Sequence, residues 1–167
     1  YLLGQIYADQ ELDGLAYKTF GEVARSNPPY ELEFASLIRQ TEVFSGTNYL
    51  KVVKMLEKMA KSQKNKDYLD QVYYALGNVY LSREDTVNAI KNYQLGIDKS
   101  TLNGMDKAIC QIKLGDIYFT MRDYVKAQPC FSGALAGIQK EYRDYERVSK
   151  LSAILDELVV HVEAVHL

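Results

Sequence analysis

The sequence predicts an all-α protein built from repeated helical hairpins, and three observations lead to that prediction. First, Leu-Gly pairs recur at Leu3-Gly4, Leu76-Gly77 and Leu114-Gly115. Secondly, each Gly is followed 3, 12, 16 and 19 residues later by a Tyr, an Ala, an aromatic residue and a Val, Gly or Ala, which is the repetition expected of a repeat architecture. Thirdly, 47% of the residues are hydrophobic and 25% are charged, as in helical domains with a continuous core. The residues that follow the glycines are Tyr7, Ala16, Phe20 and Val23; Tyr80, Ala89, Tyr93 and Gly96; and Tyr118, Ala127, Phe131 and Ala134.

Each copy predicts two antiparallel helices. In the first helix, Leu and Tyr are four residues apart and therefore share one face. In the second, the Ala, the aromatic residue and the next small residue recur at i, i+4 and i+7, which indicates a buried stripe. Gly and Ala let the two helix axes approach closely, and the aromatic rings fill the flanking space. The polar residues between the helices, 82–85 and 122–123 in the later copies, predict the turns.

A divergent repeat is predicted between the first two copies. Leu3 and Leu76 are 73 residues apart, about twice the period of ~34 residues that is typical of helical-hairpin repeats. Its first helix is expected from Tyr30 to about Phe44 and its second from about Tyr49 to Lys61, followed by a connection over residues 63–67. Their predicted buried residues are Phe34, Leu37 and Thr41, then Val52, Val53, Leu56 and Met59.

The last part of the chain predicts one further helix. From Val148 onward, apolar residues recur at alternating intervals of four and three, and we expect one side of this helix to cover the preceding hairpin. The chain begins and ends within helical patterns, so we also expect it to be part of a longer protein. The apolar positions are Leu151, Leu155, Leu158, Val162 and Val165, widened by Ile154 and Val159. The predicted organisation is repeats at 1–30, 31–69, 70–107 and 108–144, and a terminal helix at 145–167.

The sequence offers no pattern for catalysis or for a metal or cofactor. His161 and His166 are five residues apart, about 140° around a helix, so they cannot chelate one metal as histidines at i and i+4 do. Phosphate-binding loops, nucleophile elbows and Cys-x-x-Cys motifs do not occur. We therefore expect a protein that is not an enzyme and that holds no cofactor and no metal.

The charge and hydropathy of the chain argue against two classes of partner, nucleic acids and membranes. The net charge of −2 gives no electrostatic reason to expect nucleic acid, and no apolar run is long enough to insert into a membrane. A second copy of the chain remains an alternative partner, bound through the terminal helix.

Two features leave alternatives open. Cys110 and Cys130 are predicted on the two helices of one hairpin at a similar level, so they form either a disulfide or, as we favour, two small buried thiols. A stripe of lysines on the second helix of the divergent repeat is either a docking strip for an acidic partner or, as we favour, a solvated outer face. The lysines are Lys51, Lys54, Lys58 and Lys61.

The repeated positions closely resemble those of the tetratricopeptide family. In that family's register, Leu, Gly and Tyr on helix A and Ala, an aromatic residue and a small residue on helix B match in all three copies, and Pro28 stands where the family often ends helix B. The two later copies have Thr101 and Gln139 instead of that Pro. The resemblance implies a right-handed superhelical solenoid of about nine helices, whose A-helices line a concave groove that binds protein or peptide partners.

Groove residues can be carried over from the family residue by residue. The side chains of helix A that face away from helix B would meet the partner. Ile109 and Ile112 could instead pack against a neighbouring A-helix. Tyr74 and Ile109 stand where the carboxylate-clamping subclass requires basic residues, and only Asn78 matches it, so this subclass is not expected. The favoured groove residues are Arg39, Gln71, Tyr74, Asn78, Leu81, Ile112, Asp116 and Phe119.

A narrower resemblance concerns two segments, residues 27–34 (Asn-Pro-Pro-Tyr-Glu-Leu-Glu-Phe) and 155–161 (Leu-Asp-Glu-Leu-Val-Val-His). They are similar to segments of the tetratricopeptide lipoproteins of bacterial gliding motility and type IX secretion. That resemblance implies a non-enzymatic scaffold in the periplasm, anchored to the outer membrane through the parent protein. The alternative is a regulatory or sensory segment of a larger signalling protein or enzyme, with a cytoplasmic location.

Overall fold

The computed structural model describes residues 1–25, 30–42 and 49–166, and these residues are mostly helical with no strand among them. The predicted all-α class is thus confirmed. A 3₁₀ helix at Gln63–Tyr68 lies between α4 and α5. The nine α-helices of the described residues are α1 (Leu2–Asp9), α2 (Asp13–Arg25), α3 (Tyr30–Glu42), α4 (Tyr49–Lys61), α5 (Leu69–Ser82), α6 (Thr86–Lys99), α7 (Met105–Thr120), α8 (Tyr124–Leu135) and α9 (Tyr145–His166).

The helices pack in the order of the chain. Consecutive helices contact one another from α1 to α3 and from α4 to α9, and α3 and α4 contribute side chains to one hydrophobic cluster. In addition, α3 contacts α5, and α5 contacts α7. Serial contacts of this kind are typical of stacked helical hairpins. They bring α3, α5 and α7 side by side.

Close contact between a Gly and an aromatic ring joins the two helices of three hairpins. A Cβ atom added to each Gly would lie within about 3 Å of the ring, far closer than an ordinary van der Waals contact. The three rings are completely buried, as are the alanines four residues before them. The distances from that Cβ to the nearest ring atom are 2.8 Å for Gly4 and Phe20, 2.5 Å for Gly77 and Tyr93, and 3.0 Å for Gly115 and Phe131.

The same three hairpins turn through one backbone conformation. A residue seven positions after each Gly has a positive φ, and the N–H group of the next residue donates a hydrogen bond to the carbonyl of the repeated Tyr. This arrangement is the Schellman motif that often ends helices. The residues with positive φ are Glu11 (58°), Glu84 (60°) and Arg122 (61°). The hydrogen bonds are Leu12 to Tyr7 (2.9 Å), Asp85 to Tyr80 (3.0 Å) and Asp123 to Tyr118 (2.9 Å).

The divergent repeat folds as α3 and α4. The bounds of α4 agree with the prediction, whereas α3 is described as far as Glu42, so the predicted end near Phe44 lies outside the described residues, as does Pro28. Ile38 is buried in the cluster of this repeat, while Leu37 is half-buried. The connection predicted at 63–67 forms most of the 3₁₀ helix.

Helix α9 covers the last hairpin with one side only. Val148 and Leu155 are fully buried and share a cluster with Phe131 of α8. On the other side, Ile154 and Val165 are exposed. The predicted stripe of this helix is therefore buried in its first half and becomes exposed toward its end.

Candidate functional site

Helices α3, α5 and α7 together line a cavity of about 470 Å³. Four residues predicted for the groove meet there, and two that sequence reasoning missed, Ser82 and Lys113, complete the lining. The four predicted residues are Arg39, Tyr74, Asn78 and Leu81.

A second cavity, of about 300 Å³, adjoins the first. Leu81 and Lys113 border both, so the two cavities are adjacent, and together we call them the groove. The second cavity has a more apolar lining than the first and contains Asp116, another predicted residue. Its remaining lining residues are Thr86, Ile117, Thr120 and Met121.

Asn78 links the groove to the core beneath it. The buried Tyr93 donates its hydroxyl hydrogen to Asn78 Oδ1 over 2.6 Å. With Oδ1 engaged by the hydroxyl, the Nδ2 group of Asn78 keeps its two hydrogens as donors. Burial, more than the nearby Tyr74 and Cys110, raises the pKa of Tyr93 far above its usual value. The phenol is therefore neutral and keeps the hydrogen that it donates to Asn78.

Tyr74 belongs both to the groove and to the core. Its ring lies 6.2 Å from the ring of Tyr93 at an interplanar angle of 49°, and it packs against the cluster that contains Leu114 and Ile117. Tyr74 also borders the first cavity. A partner in the groove would therefore contact the accessible part of a ring that is otherwise held by the core.

Asp116 is engaged by an arginine from α9. Two nitrogens of Arg147 donate to the two carboxylate oxygens of Asp116 over 2.7 and 3.1 Å, and the same guanidinium binds Asp144. The hydrogen bond from Arg147 holds the pKa of Asp144 below its usual value. Sequence analysis missed Arg147 because it is 31 residues from Asp116 and stands in no repeated position. Asp116 thus borders the groove as one member of an ion-paired network.

Three other predicted residues lie away from the two cavities. Ile112 is 5% exposed and packs in the hydrophobic cluster of α7, α8 and α9. It is therefore a core residue, in line with the alternative that it packs against neighbouring helices. Gln71 donates a hydrogen bond to Asp106 over 3.2 Å, and Phe119 stacks edge-to-face on Tyr124 with ring centroids 5.5 Å apart. On α7 the groove is therefore lined by Lys113 rather than by Ile112.

The lysine stripe lies on the exposed side of α4. Val52, Val53 and Leu56 on the opposite side are buried, so the helix is amphipathic as the sequence predicts. None of the four lysines borders the groove. The stripe, Lys51, Lys54, Lys58 and Lys61, is exposed throughout.

The two cysteines are separate thiols. Cys110 is buried on α7, where its Sγ lies 3.6 Å from the carbonyl oxygen of Asp70, and Cys130 donates to the carbonyl of Lys126 on its own helix over 3.3 Å. Burial raises the pKa of Cys130 to about 11 and that of Cys110 further. Neither thiol is therefore activated as a nucleophile at neutral pH.

Metal-binding clusters and membrane-spanning helices are both absent from the described part of the chain. His, Cys, Asp and Glu residues do not cluster in a way that would hold a metal ion there. Nor does any helix in residues 1–25, 30–42 and 49–166 have the length and apolar character needed to cross a membrane.

The structure defines an all-α protein of serially packed helical hairpins with a groove across α3, α5 and α7. No model of a known protein family matches the chain, and no curated protein matches it either.

Proposed function

We propose that this chain is a tetratricopeptide-type scaffold that holds a segment of another protein in the groove. The observation that carries the proposal is the groove itself, in which the first helices of three successive hairpins contribute side chains to two adjoining cavities. Its lining combines an aromatic ring and aliphatic side chains with a larger number of polar and charged groups, a mixture that suits the recognition of a peptide segment.

The regularity of the hairpins supports the assignment to the tetratricopeptide class. The Gly–aromatic contact and the left-handed turn recur at equal spacing in three hairpins. These contacts involve the positions that carry the resemblance to the family. A stack of such units provides a rigid surface of fixed curvature, which is what a scaffold requires.

A more specific proposal follows from the resemblance of residues 27–34 and 155–161. We infer a structural role in a bacterial envelope assembly of the gliding-motility or type IX secretion kind, in a parent protein that is anchored to the outer membrane. The second segment lies in α9, where Leu155 is buried and Glu157 is exposed. Fractionation of cells that express the parent protein tests the location: recovery with the outer membrane supports the proposal, and recovery in the cytosol contradicts it.

Site-specific photo-crosslinking tests the groove. A benzophenone amino acid replaces Ser82, which is exposed and borders the first cavity, and in a matched control it replaces Lys54, which is exposed on α4 outside the groove. In cells of the native host, we expect a crosslinked protein at position 82 that is absent at position 54. Equal crosslinking at both positions, or none at position 82, would contradict binding in the groove.

A further inference from the structure

The first cavity of the groove presents hydrogen-bond donors and positive charge. Arg39 and Lys113 are both cationic, and the amide of Asn78 offers its two Nδ2 hydrogens because its oxygen is bound to Tyr93. Among the described residues that line this cavity, no carboxylate is present. A group that accepts hydrogen bonds and carries negative charge is therefore complementary to the cavity.

Ser82 offers a hydrogen-bond acceptor rather than a donor. Its hydroxyl donates to the carbonyl oxygen of Val79 over 2.7 Å, so the Ser82 oxygen is left with lone pairs and can accept a hydrogen bond from a ligand. An extended polypeptide provides both kinds of group, since its backbone N–H groups are donors and an acidic side chain is an acceptor. The polar lining thus suits a peptide better than a simple anion.

Asp116, the acid that borders the second cavity together with Lys113, is ion-paired. Asp116 is bound by two nitrogens of Arg147, and the same arginine binds Asp144. Lys113 also acts on Asp144, since it is one of the cations that lower its pKa. Arg147 thus offsets part of the negative charge that an incoming carboxylate at Lys113 would meet.

The shape of the groove indicates which part of a partner supplies the carboxylate. Lys113 and Leu81 lie where the two cavities meet, so a group bound at Lys113 has space on both sides, toward Arg39 and toward Met121. A chain terminus would leave one of these cavities empty. A residue in the middle of a segment would place its neighbours in both.

We propose that the groove binds an extended segment whose internal Asp or Glu side chain is held by Lys113 and Asn78, with apolar neighbours of that residue against Leu81 and Ile117. This inference rests on the proposed function and narrows it to a class of partner.

Three peptide libraries test the proposal on the whole chain. All contain dodecapeptides of random sequence with one fixed central residue: Glu with both termini capped, Gln with both termini capped, and Gln with a free C-terminal carboxylate. We expect selective enrichment from the first library. For the best Glu peptide, Lys113→Met should weaken binding about tenfold, because one charge-assisted hydrogen bond is lost. Lys113→Arg keeps the positive charge and should retain most of the affinity.

Matched measurements keep the result interpretable. Lys54→Met, on the outer side of α4, should leave the affinity unchanged, and circular dichroism should report the same helix content for every variant. The Gln twin of the selected peptide should be insensitive to Lys113→Met. Equal enrichment from the Glu library and the capped Gln library would overturn the claim that the groove recognises a carboxylate, while peptide binding itself would stand. Preferential enrichment from the library with a free C-terminus would overturn the claim that the carboxylate belongs to an internal residue. Absence of any binding that depends on Lys113, together with no crosslink at position 82, would overturn this inference and the proposed function.

Discussion

The hydroxyl of Tyr93 and the amide of Asn78 form one hydrogen bond, 2.6 Å long, between the core of the third hairpin and the floor of the groove. The corresponding aromatic residues in two other hairpins are Phe20 and Phe131, whose rings have no hydroxyl group to form this bond. The bond is therefore particular to the hairpin whose first helix lies in the middle of the groove. The bond holds the side-chain amide of Asn78, which borders the groove.

The first prediction concerns this bond. Tyr93→Phe should keep the fold, because a Phe occupies the same position in two hairpins, but it leaves Asn78 without its donor. We expect a decrease of about 1 kcal/mol in the free energy of unfolding, measured by urea denaturation. Nuclear magnetic resonance should also show a shifted Asn78 side-chain amide. An unchanged amide signal would contradict the role given to the hydrogen bond.

The close approach of Gly77 to Tyr93 gives a second prediction. A Cβ atom on Gly77 would lie 2.5 Å from a ring that is fully buried and cannot move away freely. Gly77→Ala should therefore destabilise the protein by about 1–3 kcal/mol in spite of the better helix propensity of Ala. Gly14→Ala is the matched control, since nothing lies within 4 Å of its added Cβ. A similar change in the midpoint of thermal unfolding for both variants would contradict the steric argument.

The left-handed turn at Glu84 leads to a third prediction. Its φ of 60° is strained for a residue with a side chain and costs nothing for Gly. Glu84→Gly should therefore raise the free energy of unfolding by up to about 1 kcal/mol. Glu57→Gly, at an exposed position inside α4, should lower it by about 1 kcal/mol. If both variants are destabilised equally in urea titrations, the turn conformation is not the one described.

The cap of α6 gives a fourth prediction, about pH. Asp85 Oδ1 accepts a hydrogen bond from the backbone N–H of Asn88, and the hydrogen bonds from Asn88 hold the pKa of Asp85 below its ordinary value of 3.8. At pH values near 3.8 the folded state therefore binds fewer protons at Asp85 than the unfolded state does. The contribution of Asp85 to stability is complete above the ordinary pKa and is lost as pH falls through the folded-state pKa.

Asp85→Asn tests this contribution because Asn retains a capping oxygen without the charge. The free energy of unfolding of the original protein should decrease more steeply between pH 5 and pH 2.5 than that of the variant. Asp98→Asn is the control, because among the described residues the hydrogen bond that Asp98 accepts comes from the exposed side chain of Gln94 and not from a helix N-terminus. Parallel curves for the original protein and Asp85→Asn would refute the prediction.

The helical hairpins could be predicted from sequence because their determinants are local. The contact between Gly77 and Tyr93 depends on spacing within one hairpin, so the pattern of small and aromatic residues identifies it. The left-handed turns could not be predicted in the same way. Glu84 and Arg122 stand where Gly would have signalled the conformation, and the backbone hydrogen bonds that stabilise it are not visible in the side chains.

The groove was partly predictable for a related reason. On α5 the predicted Tyr74, Asn78 and Leu81 all border it. On α7 two faces are buried, one toward α6 through residues such as Leu114 and the other toward α8 and α9 through Ile112. The rotation of α7 that results from burying both faces is set by contacts between hairpins, which a repeat register does not specify.

The shared corners at Glu11, Glu84 and Arg122 have a consequence for how such a protein can change. Backbone atoms alone define the path there, so two acids and one base serve equally well at its tip. Each of these three hairpins consequently makes the same turn between its two helices, whatever side chain stands at the corner. A substitution there can change the surface chemistry of a hairpin while the path of its backbone is kept.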